Sequence, residues 1–81
     1  MTPDQIRIAF IEELTNVAPD IDPETVGPDD HIHDDLGLDS MDVLTLVTAL
    51  HDRLGIDIPE VDYPRIATVS LAAAYLAERA T

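Results

Sequence analysis

The sequence predicts an all-α fold: a small four-helix bundle, three main helices and one short one, with a long loop between the first and second helices. Three observations predict it. Apolar residues recur at spacings of three and four in three separate segments, the period of a helix face. No stretch alternates apolar and polar residues over the length of a strand, and no hairpin turn signal occurs. The chain has 81 residues, 46% of them apolar and none of them cysteine, so one thin aliphatic core must hold a single domain, residues 1–81, without disulfides.

The first helix opens at Thr2, whose hydroxyl suits an N-cap, with Pro3 at the first helical position, where a missing N–H costs nothing. Ile6, Phe10, Leu14 and Val17 form its inward stripe, Glu12 and Glu13 lie off that stripe, and Pro19 ends it. From Pro19 to Leu38 runs the connection "PDIDPETVGPDDHIHDDLGL", whose prolines, glycines and crowded aspartates rule out a regular helix or a central strand. Ile21, Val26, Ile32 and Leu36 are its candidate anchors, and Asp22-Pro23 suggests a turn of helix over Asp22 to Val26. Asp39 through Leu54 is the strongest helix: Val43, Leu46, Val47, Leu50 and Leu54 share one face, and Gly55 is placed to stop it. Pro59 and Pro64 then leave room for one short helical turn over Glu60 to Tyr63. The last helix starts at Thr68 and turns Val69, Ala72, Ala73, Leu76 and Ala80 inward. Its inner alanines either let helices pack closely or leave room for a bound chain.

Seventeen acidic residues face four arginines and no lysine, for a net charge of −13. Nucleic acid and anionic lipid both need cations to neutralise phosphate, so this surface excludes them and membrane insertion as well, and it favours proteins with basic patches. The N-terminal "MTPDQIRIAF" lacks the basic start and apolar core of a signal peptide, and no stretch approaches the roughly 20 apolar residues of a membrane helix. The expectation is a freestanding, monomeric cytoplasmic protein. His31, His33, Asp34 and Asp35 in "HIHDD" offer no three preorganised metal ligands, and "DIDPETVGPDDH" lacks the glycine and closing glutamate of a calcium loop, so no metal site is expected. With no Ser-His-Asp spacing, no phosphate loop and too little chain for a deep pocket, catalysis is not expected either.

Ser40, between Asp39 and Met41, heads the strongest helix. Asp39 or Ser40 can cap it, and Asp42 resembles the acidic arm of a capping box; that alone accounts for the cluster. A serine there also has its hydroxyl beside unpaired N–H groups that would stabilise a phosphate ester. Leu36 and Leu38 around Gly37 hold it at one spot, and no histidine or lysine stands in a relation that would activate it as a nucleophile. These residues point to a serine placed to be modified.

"DLGLDSMDVLTLVTAL", Asp35 to Leu50, resembles the signature of acyl carrier proteins, an acidic residue followed by Leu-Gly-x-Asp-Ser-Leu/Met and an amphipathic helix, and the resemblance extends over almost all of the chain. It implies that a phosphopantetheinyl transferase, using coenzyme A and magnesium, esterifies Ser40 with 4′-phosphopantetheine. The arm's thiol would carry acyl cargo as a thioester to acyl-transferring and acyl-modifying enzymes of fatty-acid, lipid or polyketide-type biosynthesis. By the same resemblance Asp39 helps the transferase orient its substrate, Met41 is the exposed apolar docking residue and Asp42 an acidic contact. Leu44, Thr45, Thr48, His51 and Asp52 complete the partner face. Many fatty-acid carriers have glutamate at the place of Thr45, so the more neutral face here implies a specialised carrier with its own partners. The alternatives are a peptidyl or aminoacyl carrier, whose serine often follows Gly-Gly, and an unmodified interaction module of the same fold.

Overall fold

In the computed structural model, which describes residues 2–80, α1 spans Pro3–Val17, α2 Ser40–Leu54 and α3 Val69–Arg79, with a 3₁₀ helix, Glu60–Ile66, between α2 and α3. Thr2 caps α1 as its sequence suggests, and Gln5 completes a capping box that the sequence reading missed. The Thr2 N–H donates to Gln5 Oε1 at 2.9 Å and the Gln5 N–H donates to Thr2 Oγ1 at 3.2 Å. Ile6, Phe10 and Leu14 are fully buried and Ala9 joins them, while Val17 is only partly covered. The helix releases at Ala18, because the residue before a proline is pushed out of the α region.

α1 lies against both α3 and α2, and the 3₁₀ helix lies against α3. Arg53 in the last turn of α2 reaches Glu12 Oε1 at 2.7 Å and Glu13 Oε2 at 2.9 Å on α1. Donation to Glu13, then to Glu12, holds the guanidinium above its ordinary pKa. In solvent such a pair orients the two helices more than it stabilises them. Leu54 is half-buried at the end of the α2 stripe, and Gly55 takes the left-handed conformation, φ +70°, that the helix stop requires.

Three local readings are corrected. Asp22 to Val26 is a hydrogen-bonded turn, not a helix: the Asp22 carboxylate accepts the Glu24 N–H at 2.9 Å and its carbonyl accepts the Thr25 N–H at 3.0 Å, so the aspartate satisfies the donors locally. The short turn predicted over Glu60 to Tyr63 continues to Ile66 as a 3₁₀ helix that includes Pro64. The missing proline N–H removes one bond there, while the segment gains the complete burial of Ile66. In α3, Tyr75 was not among the predicted inward residues yet is 1% exposed, while Ala73 and Ala80 are only half-buried. Its hydroxyl donates to Asp62 Oδ2 at 2.7 Å, and the Arg79 and Arg65 guanidinium carbons sit 4.0 and 4.9 Å from its ring centroid. Burial, followed by the bond to Asp62, raises the phenol pKa, so the hydroxyl stays a donor at neutral pH.

The long loop is anchored at both the side chains and the backbone. Ile32 and Leu38 are buried, and Ile21, Val26 and Leu36 pack partly against the core. The Ser70 N–H donates to the Pro28 carbonyl and the Ile32 N–H to the Ala67 carbonyl, each at 2.9 Å, which straps the loop to the start of α3. Among the described residues there is no strand, only an isolated antiparallel bridge between His31 and Thr68, and no helix is long and apolar enough to cross a membrane.

Candidate functional site

The site begins with how the loop delivers its last residues to α2. The His31 carbonyl accepts the N–H groups of Asp35 and Leu36, the His33 carbonyl accepts that of Gly37, and the Ile32 carbonyl accepts that of Leu38, at 2.9 to 3.1 Å. Gly37 makes this closure possible: its φ of +78° is a left-handed conformation that a side chain disfavours, although no atom lies within 4 Å of where a Cβ would stand. The chain then leaves extended at Asp39, with buried Leu38 anchoring it from below.

Asp39 is the N-cap, so the helix predicted from Asp39 has its first helical residue at Ser40. Asp39 Oδ1 accepts the Asp42 N–H at 2.8 Å, and Asp42 Oδ2 accepts the Asp39 N–H at 3.2 Å, a closed capping box. Either residue was open as the cap on sequence; the structure gives the task to the aspartate. Ser40 is exposed, and its hydroxyl makes no hydrogen bond to another described residue. The backbone N–H groups of Ser40 and Met41 are likewise unpaired among the described residues. A phosphate ester on Ser40 fits this place, since two free donors at a helix N-terminus stand beside the oxygen that would hold it.

Met41 and Leu44 are 70% and 50% exposed, and Thr45, Thr48, His51 and Asp52 share the solvent side of α2. Asp42 is half-buried, with one oxygen in the cap, the capping-box arm that its spacing from Asp39 suggests. The hydroxyls of Thr45 and Thr48 donate to the carbonyls of Met41 and Leu44, both at 3.0 Å, and so are committed to the helix itself. Around Ser40 the exposed charges are Asp34, Asp35, Asp39 and Glu60, while Arg53, Arg65 and Arg79 are paired with other carboxylates. The field at the serine is negative and suits a basic partner.

Two clefts meet here that the sequence reading did not find. One, of about 300 Å³, is bordered by Ser40, Met41, Leu44 and Glu60. The other, of about 490 Å³, lies among Ile32, Pro64, Ala67, Thr68, Leu71 and His31. His33, Val43 and Tyr63 border both. The larger is within the size range of small-molecule sites, and its walls are mostly apolar, which suits a hydrocarbon or aryl chain and not a charged ligand. Neither Ala72 nor Ala73 borders it: Ala72 is completely buried, so at that position the alanine serves close packing. Leu71, half-exposed and outside the predicted inward stripe, borders this second apolar surface.

The family described as "Phosphopantetheine attachment site" matches residues 8–76 of the chain. The chain is 43% identical over 65 residues to the acyl carrier protein of Streptomyces coelicolor, an overlap that covers 80% of this chain and 71% of that one. It is 36% identical over 73 residues to the acyl carrier protein of Wolinella succinogenes, covering 90% of each. Its fold matches the acyl carrier protein from Enterococcus faecalis with a TM-score of 0.82 over 98% of this chain and 99% of that one, at 30% identity.

Proposed function

Since the chain belongs to the acyl carrier protein family, whose members bear 4′-phosphopantetheine covalently and carry cargo rather than catalyse its chemistry, we propose that Ser40 is the residue that bears it here. The observation that supports this is the separation of tasks at the start of α2. Asp39 satisfies the helix end, and the Ser40 hydroxyl is left exposed and unbonded to any described residue. When bound, the group supplies the thiol that this cysteine-free chain lacks, and cargo rides on it as a thioester. Asp39 keeps its second oxygen out of the cap, available to a phosphopantetheinyl transferase that orients the serine. The cargo chain has the adjoining apolar cleft to enter.

Ser40 and Ser70 are the only serines in the chain, and both lie in the first turn of a helix. Incubation with coenzyme A, magnesium and a broad-specificity transferase is expected to add one phosphopantetheine mass to wild type and to Ser70→Ala, and none to Ser40→Ala. Mass gained by Ser40→Ala, or none on wild type with several active transferases, would sink the assignment.

Partners reach the arm across Met41, Leu44, Thr45, Thr48, His51 and Asp52, with acidic rim contacts from Asp42 and its neighbours. An exposed charge pair contributes about 0.2–1 kcal/mol, so a synthase whose basic patch fits a glutamate at position 45 gains less from Thr45. A general fatty-acid synthase is therefore expected to turn over this carrier more slowly than a glutamate-bearing housekeeping carrier, with Thr45→Glu narrowing the gap. Equal turnover of the two would remove the case for dedicated partners.

A further inference from the structure

The histidines of "HIHDD" have so far had no role, yet both rings are bonded into the loop that ends at Ser40. His31 Nδ1 accepts the N–H groups of His33 at 3.2 Å and Asp34 at 3.3 Å, the task a serine or aspartate side chain performs in capping a turn. That nitrogen therefore carries no proton. At His33 the roles reverse. Its Nδ1 lies 2.7 Å from the Leu38 carbonyl, which can only accept, so this nitrogen carries the proton and donates. The His31 N–H adds a bond to Asp35 Oδ2 at 2.8 Å. The two rings thus brace the last stretch of the loop, from His31 to Leu38, two residues before Ser40.

We propose that His31 is a positioning residue for the modification of Ser40: its neutral ring caps the turn of the presenting loop, and protonating the ring removes those two capping bonds and leaves the turn to its backbone bonds. The proposal rests on the reading of Ser40 as the attachment residue. An imidazolium donates from both nitrogens, so a protonated His31 would point an N–H at two further N–H groups, and both bonds are lost as pH falls. His33 keeps its bond in either state, because donation to Leu38 needs only the proton already there.

The surrounding charges do not undo this. Asp30, beside His31 in the chain, and Asp34 and Asp35, on the same turn, attract an imidazolium, but a ring turned out to solvent reaches that attraction equally well once the cap is broken. His33, with its ring centroid 6.0 Å away, repels His31 when both are charged. On the 3₁₀ helix the facing titratable group is Tyr63, and α2 and α3 contribute Val43 and Leu71 to the cleft that His31 lines, with Thr68 just before α3. Acid relieves repulsion across the rest of a chain with net charge −13, so a loop that loosens with acid runs against the global trend.

The test follows the modification rate by intact mass, with one transferase, for wild type, His31→Asn and His31→Ala between about pH 8 and about pH 5.5, a range that spans histidine titration. Backbone amide shifts of His33, Asp34 and Ser40 are recorded on the same samples. The asparagine oxygen accepts the same two N–H groups but does not titrate, and dividing the wild-type rate by the His31→Asn rate removes the transferase's own pH dependence. The ratio is expected to be near one at the upper end and to fall roughly five- to tenfold at the lower. His31→Ala should be slow throughout, and the Ser40 amide should follow the His31 titration in wild type only. A flat ratio overturns the proposal, as does His31→Asn being as slow as His31→Ala at the upper end. If no protein gains mass, the attachment reading has failed instead, and the amide shifts still decide the loop: a Ser40 amide indifferent to His31 overturns the proposal.

Discussion

Phe10→Ala is expected to destabilise the bundle by about 3–5 kcal/mol, a large fraction of its whole stability. Truncating a buried phenylalanine costs about 3–5 kcal/mol, and a domain of this length is stable by roughly 4–12 kcal/mol. Phe10 is completely buried on α1, the helix that packs against both α2 and α3, and no disulfide offsets its loss. Ile8, on the same helix but 49% exposed, serves as the control: Ile8→Ala should stay within about 0.5 kcal/mol of wild type. Urea unfolding followed by circular dichroism measures both. A loss under about 1 kcal/mol for Phe10→Ala would mean that the neighbouring helices close the hole, and that α1 does not hold the core together.

The second large effect is a dissociation of stability from function at adjacent residues. Ser40→Ala is expected to unfold within about 0.5 kcal/mol of wild type while losing the modification altogether, because its hydroxyl bonds to no other described residue and alanine suits a first helical turn. Asp39→Ala should lose about 0.5–2 kcal/mol, the usual worth of a capping side chain, and should gain its phosphopantetheine more slowly than wild type, because the transferase loses the carboxylate that orients the serine, but not lose it altogether. Denaturant unfolding and intact mass on the same two variants decide it. The reverse pattern would make Ser40 the cap and remove the structural argument for its role as the attachment residue.

The three α-helices were legible because each announces itself locally. Thr2, Asp39 and Thr68 sit where side-chain oxygens meet first-turn N–H groups, and Ile6, Phe10 and Leu14, like Val43, Leu46 and Leu50, repeat on one face. Tyr75 was not legible. A phenol in the interior needs a partner for its hydroxyl, and that partner, Asp62, comes from the 3₁₀ helix across the bundle. The continuation of that helix past Pro64 was hidden for a similar reason, since the burial of Ile66 outweighs what the proline removes. At the site, the sequence singled out Ser40 and the exposed face that begins at Met41, but it contained no sign that His31 and His33 would bond to the loop in opposite tautomers.

By itself the sequence determined where the three α-helices run and which serine heads the strongest of them, because capping and face periodicity are relations between residues three and four apart. Only the tertiary structure decided that Asp39 takes the cap and frees Ser40, since two neighbouring oxygens compete for the same donors and the path from Gly37 through buried Leu38 chooses between them. It also decided that the cleft beside Ser40 opens toward a larger apolar one, which exists because packing brings the end of the loop, α2, the 3₁₀ helix and the start of α3 together at one place.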